Sequence, residues 1–147
     1  MDNLVAASRN ALRLDDSETA GLTSLGAMAL LESTGPFSLA EQLALQVLDA
    51  DLSSETAIRV RVALGTVLNR SGQPDAAAPH FDAALAAARA DRWPQLEARA
   101  LLGLATSVLH RGQLDTAEQH LRAALDRLRR APDDALEGSL LRELAHV

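Results

Sequence analysis

Residues 59–85 read RVRVALGTVLNRSGQPDAAAPHFDAAL, and the same pattern returns 40 residues later, at residues 99–125, as RALLGLATSVLHRGQLDTAEQHLRAAL. In the first part of each stretch, apolar side chains recur every three or four residues, as at Val60, Leu64 and Val67, which is typical of an amphipathic helix. A glycine follows, and after it comes a second stretch that is rich in alanine and leucine. Each copy therefore predicts a pair of helices that are joined by a tight turn.

The repeat extends towards both ends of the chain. An offset of 37 residues places the SETA segment at Ser17–Ala20 on the SETA segment at Ser54–Ala57. Self-similarity at such a period is typical of helical repeat proteins, and we predict an all-α fold with about eight helices. The predicted units are a lone N-terminal helix at 1–15, repeats at 16–52, 53–91 and 92–131, and a lone C-terminal helix or partial fourth repeat at 132–147.

The turns inside and between the repeats carry their own signals. Glycine best tolerates the left-handed conformation that follows a helix, so we expect the first helices to end at Gly35, Gly72 and Gly112. Three positions later stand residues that often cap helix N-termini, and we predict caps for the second helices at Ser38, Asp75 and Asp115. Acidic pairs at Asp15–Asp16 and Asp133–Asp134 are expected at helix starts, where negative charge complements the helix dipole.

The segment Leu64–Leu68, followed by Ala77 and Phe81, resembles the tetratricopeptide repeat, with Leu68 in place of the usual aromatic residue. The repeats are longer than the usual tetratricopeptide unit and lack its closing proline; such longer repeats resemble those of bacterial signalling ATPases and large transcriptional regulators. The resemblance implies a right-handed α-solenoid of helix-turn-helix repeats, in which the first helices line a concave face. It also implies that Ala77 and its counterpart Ala117 lie where paired helices approach most closely.

Composition argues against several classes of function. The net charge of −6 argues against a direct nucleic-acid surface, which is usually basic. The chain has no cysteine and no lysine, so it contains neither a thiolate metal site nor a lysine phosphate loop. We expect no catalysis, no cofactor and no membrane association, and the lack of a signal-peptide pattern favours the cytoplasm. All 14 basic residues are arginine, which fits either selection for bidentate anion contacts or a GC-rich genome.

His80 and His120 occupy the same repeat position in consecutive units. A stacked pair of histidines can contribute to a metal site, but metal binding needs further ligands at fixed geometry. We therefore interpret both histidines as solvated polar residues on equivalent outer faces, and we expect no metal site.

The resemblance also implies which residues line the concave face. From the first repeat it would include Leu22, Leu25, Ala29, Glu32 and Ser33. From the other two repeats we expect a partner-binding groove formed by Arg59, Val62, Thr66, Asn69, Arg70, Arg99, Leu102, Thr106, Leu109 and His110.

Arginine dominates the charge of this expected groove. Arg59, Arg70 and Arg99 would point inwards against a single acid, Glu32, so the groove would favour an acidic or carboxylate-bearing segment of a protein or peptide. The alternative is local pairing, since Glu55 precedes Arg59 by four residues on the same helix. Arg99 has a glutamine at the equivalent position and no such local partner.

The sequence therefore predicts a protein- or peptide-binding scaffold. The alternative is the sensory or regulatory part of a larger bacterial transcriptional regulator or signalling ATPase. Self-association through the unpaired terminal helices is a further expectation, because the N-terminal helix aligns with a second helix and the C-terminal one with a first helix, each without its partner.

Overall fold

The computed structural model describes residues 2–147, and in this range the chain consists of helices and the turns between them. No residue in the range forms a strand. The all-α class and the predicted number of helices are confirmed. The eight helices are α1 (Asp2–Arg13), α2 (Ser17–Thr34), α3 (Phe37–Leu48), α4 (Ser54–Arg70), α5 (Pro74–Ala90), α6 (Pro94–Leu109), α7 (Leu114–Leu128) and α8 (Asp134–Leu144).

Each helix packs against the next one in the chain, from α1 on α2 to α7 on α8. Helix α4 also packs against both α2 and α6, so these three helices form a row. Helices α3, α5 and α7 each contact the first helix before them and the first helix after them. The core lies between these two sets of helices, and its largest fully buried side chains include Phe81, Met28, Leu64 and Leu121.

The expected glycine turns are present. Gly35, Gly72 and Gly112 have φ angles of 66°, 77° and 72°, a region that side chains with a Cβ rarely adopt. At Gly72, the following residue Gln73 donates its backbone N–H to the carbonyl of Leu68 at 2.8 Å, which closes the end of α4.

The predicted caps of the second helices are wrong. Helix α5 begins at Pro74 and α7 at Leu114, so Asp75 and Asp115 lie inside the first turn. Ser38 likewise lies inside α3, which begins at Phe37. None of these three helices has a side-chain cap. Each second helix begins two residues after its glycine, and in α5 the fixed φ of proline already suits the first helical position at Pro74.

Side-chain caps instead mark three of the first helices, α2, α4 and α8, whereas α6 begins at Pro94 without one. Asp16 accepts a hydrogen bond from the backbone N–H of Thr19 at 3.2 Å, and Asp133 accepts one from Leu136 at 3.0 Å. Ser53 caps α4 in the same way. The expectation that acidic pairs mark helix starts is therefore confirmed at Asp16 and Asp133.

Phe81 joins three helices. Its ring projects from α5 between Gly65 of α4 and Gly103 of α6, and the residue is fully buried. A Cβ atom at Gly103 would lie 2.1 Å from the ring, and one at Gly65 would lie 2.6 Å from it. The two glycines therefore leave room for an aromatic side chain from the neighbouring helix.

Ala77 and Ala117 are both fully buried, near the starts of α5 and α7. Residues 2–147 include no helix that is both long enough and apolar enough to cross a membrane.

Candidate partner-binding groove

Two neighbouring cavities open along the row of first helices. One encloses about 550 Å³ between α4, α6 and α8, and the other about 570 Å³ between α2, α4 and the start of α6. Glu32, Val62, Thr66 and Arg99 line both cavities, so the two form one continuous depression. We call this depression the groove, and define it by the residues that line either cavity.

Most of the residues expected in the groove line it. Leu109 does not; it is half-buried next to the exposed His110. From the first repeat, Leu25 and Glu32 line the second cavity, whereas Leu22 lies outside both cavities and is exposed. The expected residues that line the groove are Arg59, Val62, Thr66, Asn69, Arg70, Arg99, Leu102, Thr106 and His110.

Several residues that line the groove were not predicted from the sequence. On α8, Leu136, Ser139 and Glu143 line the first cavity. The 40-residue offset contains the signal, because it places Ser139 on Arg99. Trp93 lines the second cavity from the turn before α6, where helical periodicity gives no signal.

Each arginine of the groove is paired with a carboxylate of the same chain. Arg59 lies 2.5 Å from Glu55, which is the local pairing described above as an alternative. Arg70 lies 2.8 Å from Glu32 and thereby joins α4 to α2. The arginine side chains are each about half exposed, and pairs of this kind contribute roughly 0–1 kcal/mol to stability.

Arg99 also has a partner, although it has none within its own helix. Its Nη2 lies 3.1 Å from Oδ2 of Asp133, which is 34 residues further along the chain. The backbone N–H of Leu136, and then Arg99, hold the pKa of Asp133 below its ordinary value. Arg99 therefore links α6 to the N-terminus of α8.

Asn69 lies at the edge of the groove, but its amide is used inside the protein. The residue is buried, and its Nδ2 donates to the carbonyl of Gly103 at 3.2 Å. The hydroxyl of Ser107 lies 3.0 Å from Oδ1 of Asn69 and 3.1 Å from the same Gly103 carbonyl. This network joins α4 to α6 and fixes their spacing beneath the groove.

Three hydroxyl groups of the groove donate their protons to backbone carbonyls of their own helices. Thr66 donates to the carbonyl of Val62 at 2.9 Å, and Thr106 donates to that of Leu102 at 3.0 Å. Ser139 donates to the carbonyl four residues before it at 3.0 Å. A hydroxyl has one proton and two lone pairs, so these side chains offer only acceptors to a ligand.

His80 and His120 lie on the second helices, outside the groove. Both are half-buried, so their side chains are only partly solvated. Burial, and then the charge of Arg61, lowers the pKa of His80. Burial also lowers the pKa of His120, against the opposing effect of Asp82. In the described part of the chain, no three histidine or acidic side chains are grouped in a way that could hold a metal ion.

A comparison with protein-family models gives no match, and comparisons with curated proteins and with solved structures give no significant match. The similarity to tetratricopeptide repeats therefore rests on the residues quoted above.

Proposed function

We propose that the chain is a right-handed α-solenoid of tetratricopeptide-like repeats, and that it acts as a scaffold that holds an extended segment of a protein or peptide in the groove. The proposal rests on one observation, which is that two cavities of about 550 and 570 Å³ join along the row of first helices. A continuous depression of this kind accommodates successive side chains of an extended segment.

The lining of the groove suits such a segment. Val62, Leu102 and Leu136 provide apolar surface, and the ring of Phe81 closes the floor beneath Gly103. Polar and charged side chains lie around this surface. Binding sites in proteins commonly combine apolar walls with a few fixed polar groups that set the orientation of the ligand.

The second cavity favours a carboxylate of the partner. Arg59 and Arg99 both line it, and a guanidinium can hold a carboxylate through two parallel hydrogen bonds. The side chains of Arg59 and its partner Glu55 are each about half exposed, so a partner's carboxylate can replace Glu55 at little cost. The proposed partner therefore carries an acidic side chain or a chain carboxylate at this end of the groove.

The test compares the double variant Arg59→Ala/Arg99→Ala with the control variant Arg122→Ala. Arg122 lies 2.5 Å from Glu118, four residues earlier on α7, so it reproduces the Arg59–Glu55 pair outside the groove. Partners captured by the wild type are identified by mass spectrometry and titrated against each variant by calorimetry at low and high salt. We expect binding to weaken in the double variant and with salt, because the contacts are electrostatic.

Circular dichroism checks that both variants keep their helices, and the single variant Arg59→Ala avoids any loosening of α8 through Asp133. Unchanged affinity in the double variant, or equal loss in Arg122→Ala, would place the binding surface outside the arginine end of the groove.

A further inference from the structure

The two ends of the groove differ in how their charges are balanced. Arg59, Arg70 and Arg99 each have a carboxylate partner within the chain. Glu143, which lines the first cavity from the last turn of α8, makes no ion pair with any residue in the range 2–147. Glu143 is half-buried. Among the arginines and carboxylates of the groove, the charge that lacks a partner is therefore negative.

The neighbouring neutral groups strengthen this asymmetry. Thr106 and Ser139 line the same cavity as Glu143, and the hydroxyl proton of each is donated to its own helix. Ser139 also accepts a hydrogen bond from Nη2 of Arg142 at 3.4 Å. These two hydroxyls therefore offer a ligand only their remaining lone pairs, beside the carboxylate of Glu143 and the imidazole of His110. The guanidinium groups that line this cavity, those of Arg70 and Arg99, pair with carboxylates of other helices, Glu32 and Asp133, which are less exposed than the Glu55 partner of Arg59. The α8 end of the groove is thus rich in hydrogen-bond acceptors.

On the basis of the proposed function, we propose that the segment held in the groove carries a basic side chain, lysine or arginine, that reaches Glu143. Ammonium and guanidinium groups offer donors and no acceptors, which matches this lining. The apolar side chains of Leu102 and Leu136 line the same cavity and can take the methylene stem of a long basic side chain. Arg59 lies at the other end of the groove, so the bound segment would have a fixed direction. Its acidic group would lie near the start of α4, and its basic side chain would lie at α8.

The experiment is a selection from a random peptide library displayed on phage, performed in parallel against four immobilised proteins. These are the wild type, Glu143→Gln, Glu143→Arg and the control Glu137→Gln. Glu137 lies on the same helix and is exposed, but it lines neither cavity of the groove. Circular dichroism confirms that each variant is as helical as the wild type before selection.

We expect peptides selected by the wild type and by Glu137→Gln to share lysine or arginine at one aligned position. Selection by Glu143→Gln should lose this preference, and selection by Glu143→Arg should replace it with aspartate or glutamate. A single peptide from the wild-type pool should bind Glu143→Gln up to roughly fivefold more weakly, which corresponds to the upper end of the range for a partly solvated charge pair.

The outcomes separate this inference from the function on which it rests. Peptides enriched without a basic position, or with the same basic position in Glu143→Gln, would overturn the role of Glu143 and leave the scaffold intact. Enrichment of acidic residues at that position in the wild type would also overturn it. A library that yields no enriched peptide for the wild type would overturn both proposals.

Discussion

Gly103 is placed on α6 where a fully buried ring from α5 comes close to its backbone. The sequence identifies Gly103 as a costly residue, because glycine inside a helix destabilises it by roughly 1 kcal/mol relative to alanine. The periodicity of apolar residues does not show which neighbouring side chain occupies the space that the missing Cβ of Gly103 leaves. The neighbour is Phe81, and this contact depends on the crossing of three helices, which only the folded structure defines.

We predict that Gly103→Ala destabilises the protein. The added Cβ would lie 2.1 Å from the ring of Phe81, which is surrounded on all sides and cannot move away freely. Overpacking of this kind costs roughly 1–3 kcal/mol, which outweighs the gain in helix propensity. Thermal and urea unfolding of the purified variant measure the effect.

Gly138 provides the matched control. It also lies inside a helix, but a Cβ atom there would meet nothing within 4 Å. Gly138→Ala should therefore raise stability by up to about 1 kcal/mol. If both substitutions stabilise the protein equally, the ring of Phe81 does not lie between α4 and α6.

At the scale of helices, the small residues of α5 and α7 decide how closely each pair can pack. Ala77 and Ala117 are both fully buried, as the resemblance implied for the positions of closest approach. We predict that Ala77→Leu and Ala117→Leu each destabilise the protein by roughly 1–3 kcal/mol, because the extra atoms have no room. Chemical unfolding of each variant gives the change in the free energy of unfolding.

The control for this pair is Ala86→Leu, on the exposed side of α5. It should change stability by no more than about 0.5 kcal/mol. Melting transitions of Ala77→Leu and Ala117→Leu that coincide with that of the wild type would contradict the register of the helices.

The helices themselves were largely predictable, but their starts were not. Apolar spacing predicted the helix at Val60, Leu64 and Val67, and the glycine turns fixed where the first helices end. The prediction of a cap at Asp75 is wrong, because aspartate favours both the cap and the first turn of a helix. Residue type alone does not distinguish these two places.

At the scale of the molecule, hydrogen-bonded carboxylates tie successive first helices together. Glu18 of α2 accepts hydrogen bonds from the hydroxyls of Ser53 and Thr56 and from the backbone N–H of Ser53, at the start of α4. These hydrogen bonds lower the pKa of Glu18, and the bond from Thr56 contributes most. Asp133 joins α8 to α6 in a similar way through Arg99. Such contacts link residues 34 or more positions apart, and no local pattern in the sequence reveals them.

We predict that the protein loses stability in two ranges of falling pH. His80 and His120 have lowered pKa values in the folded chain, so the unfolded chain binds more protons just below the ordinary histidine pKa of about 6.5. Stability is therefore complete above this value and falls as the pH drops below it. Glu18, Asp16 and Asp133 also have lowered pKa values, so a further loss follows as these carboxylates become protonated below about pH 4.5.

Thermal unfolding from about pH 8 to about pH 3 measures both losses, and the double variant His80→Gln/His120→Gln separates them. The double variant should lose the upper range of pH dependence and keep the lower one. An unchanged upper range would mean that the two histidines are not the groups that titrate there.

The candidate groove was predictable where the repeat is regular. The 40-residue offset brings Arg59 and Arg99 to the same groove, as expected. Glu143 and Trp93 are absent from the predicted groove for different reasons. The sequence predicts α8 as a lone terminal helix or a partial fourth repeat, outside the three complete repeats, and Trp93 lies in a turn. For the same reason the prediction did not include Asp133, which forms the ion pair with Arg99 in the folded chain.

Trp93 is the single tryptophan of the chain, and it lies half-buried beside the arginine end of the groove. All indole fluorescence of the protein therefore originates at one known point. We expect a segment that enters the second cavity to remove water from this indole, and so to change the wavelength and intensity of its emission. The fluorescence of Trp93 should therefore report the occupancy of the groove as binding proceeds, without an attached dye.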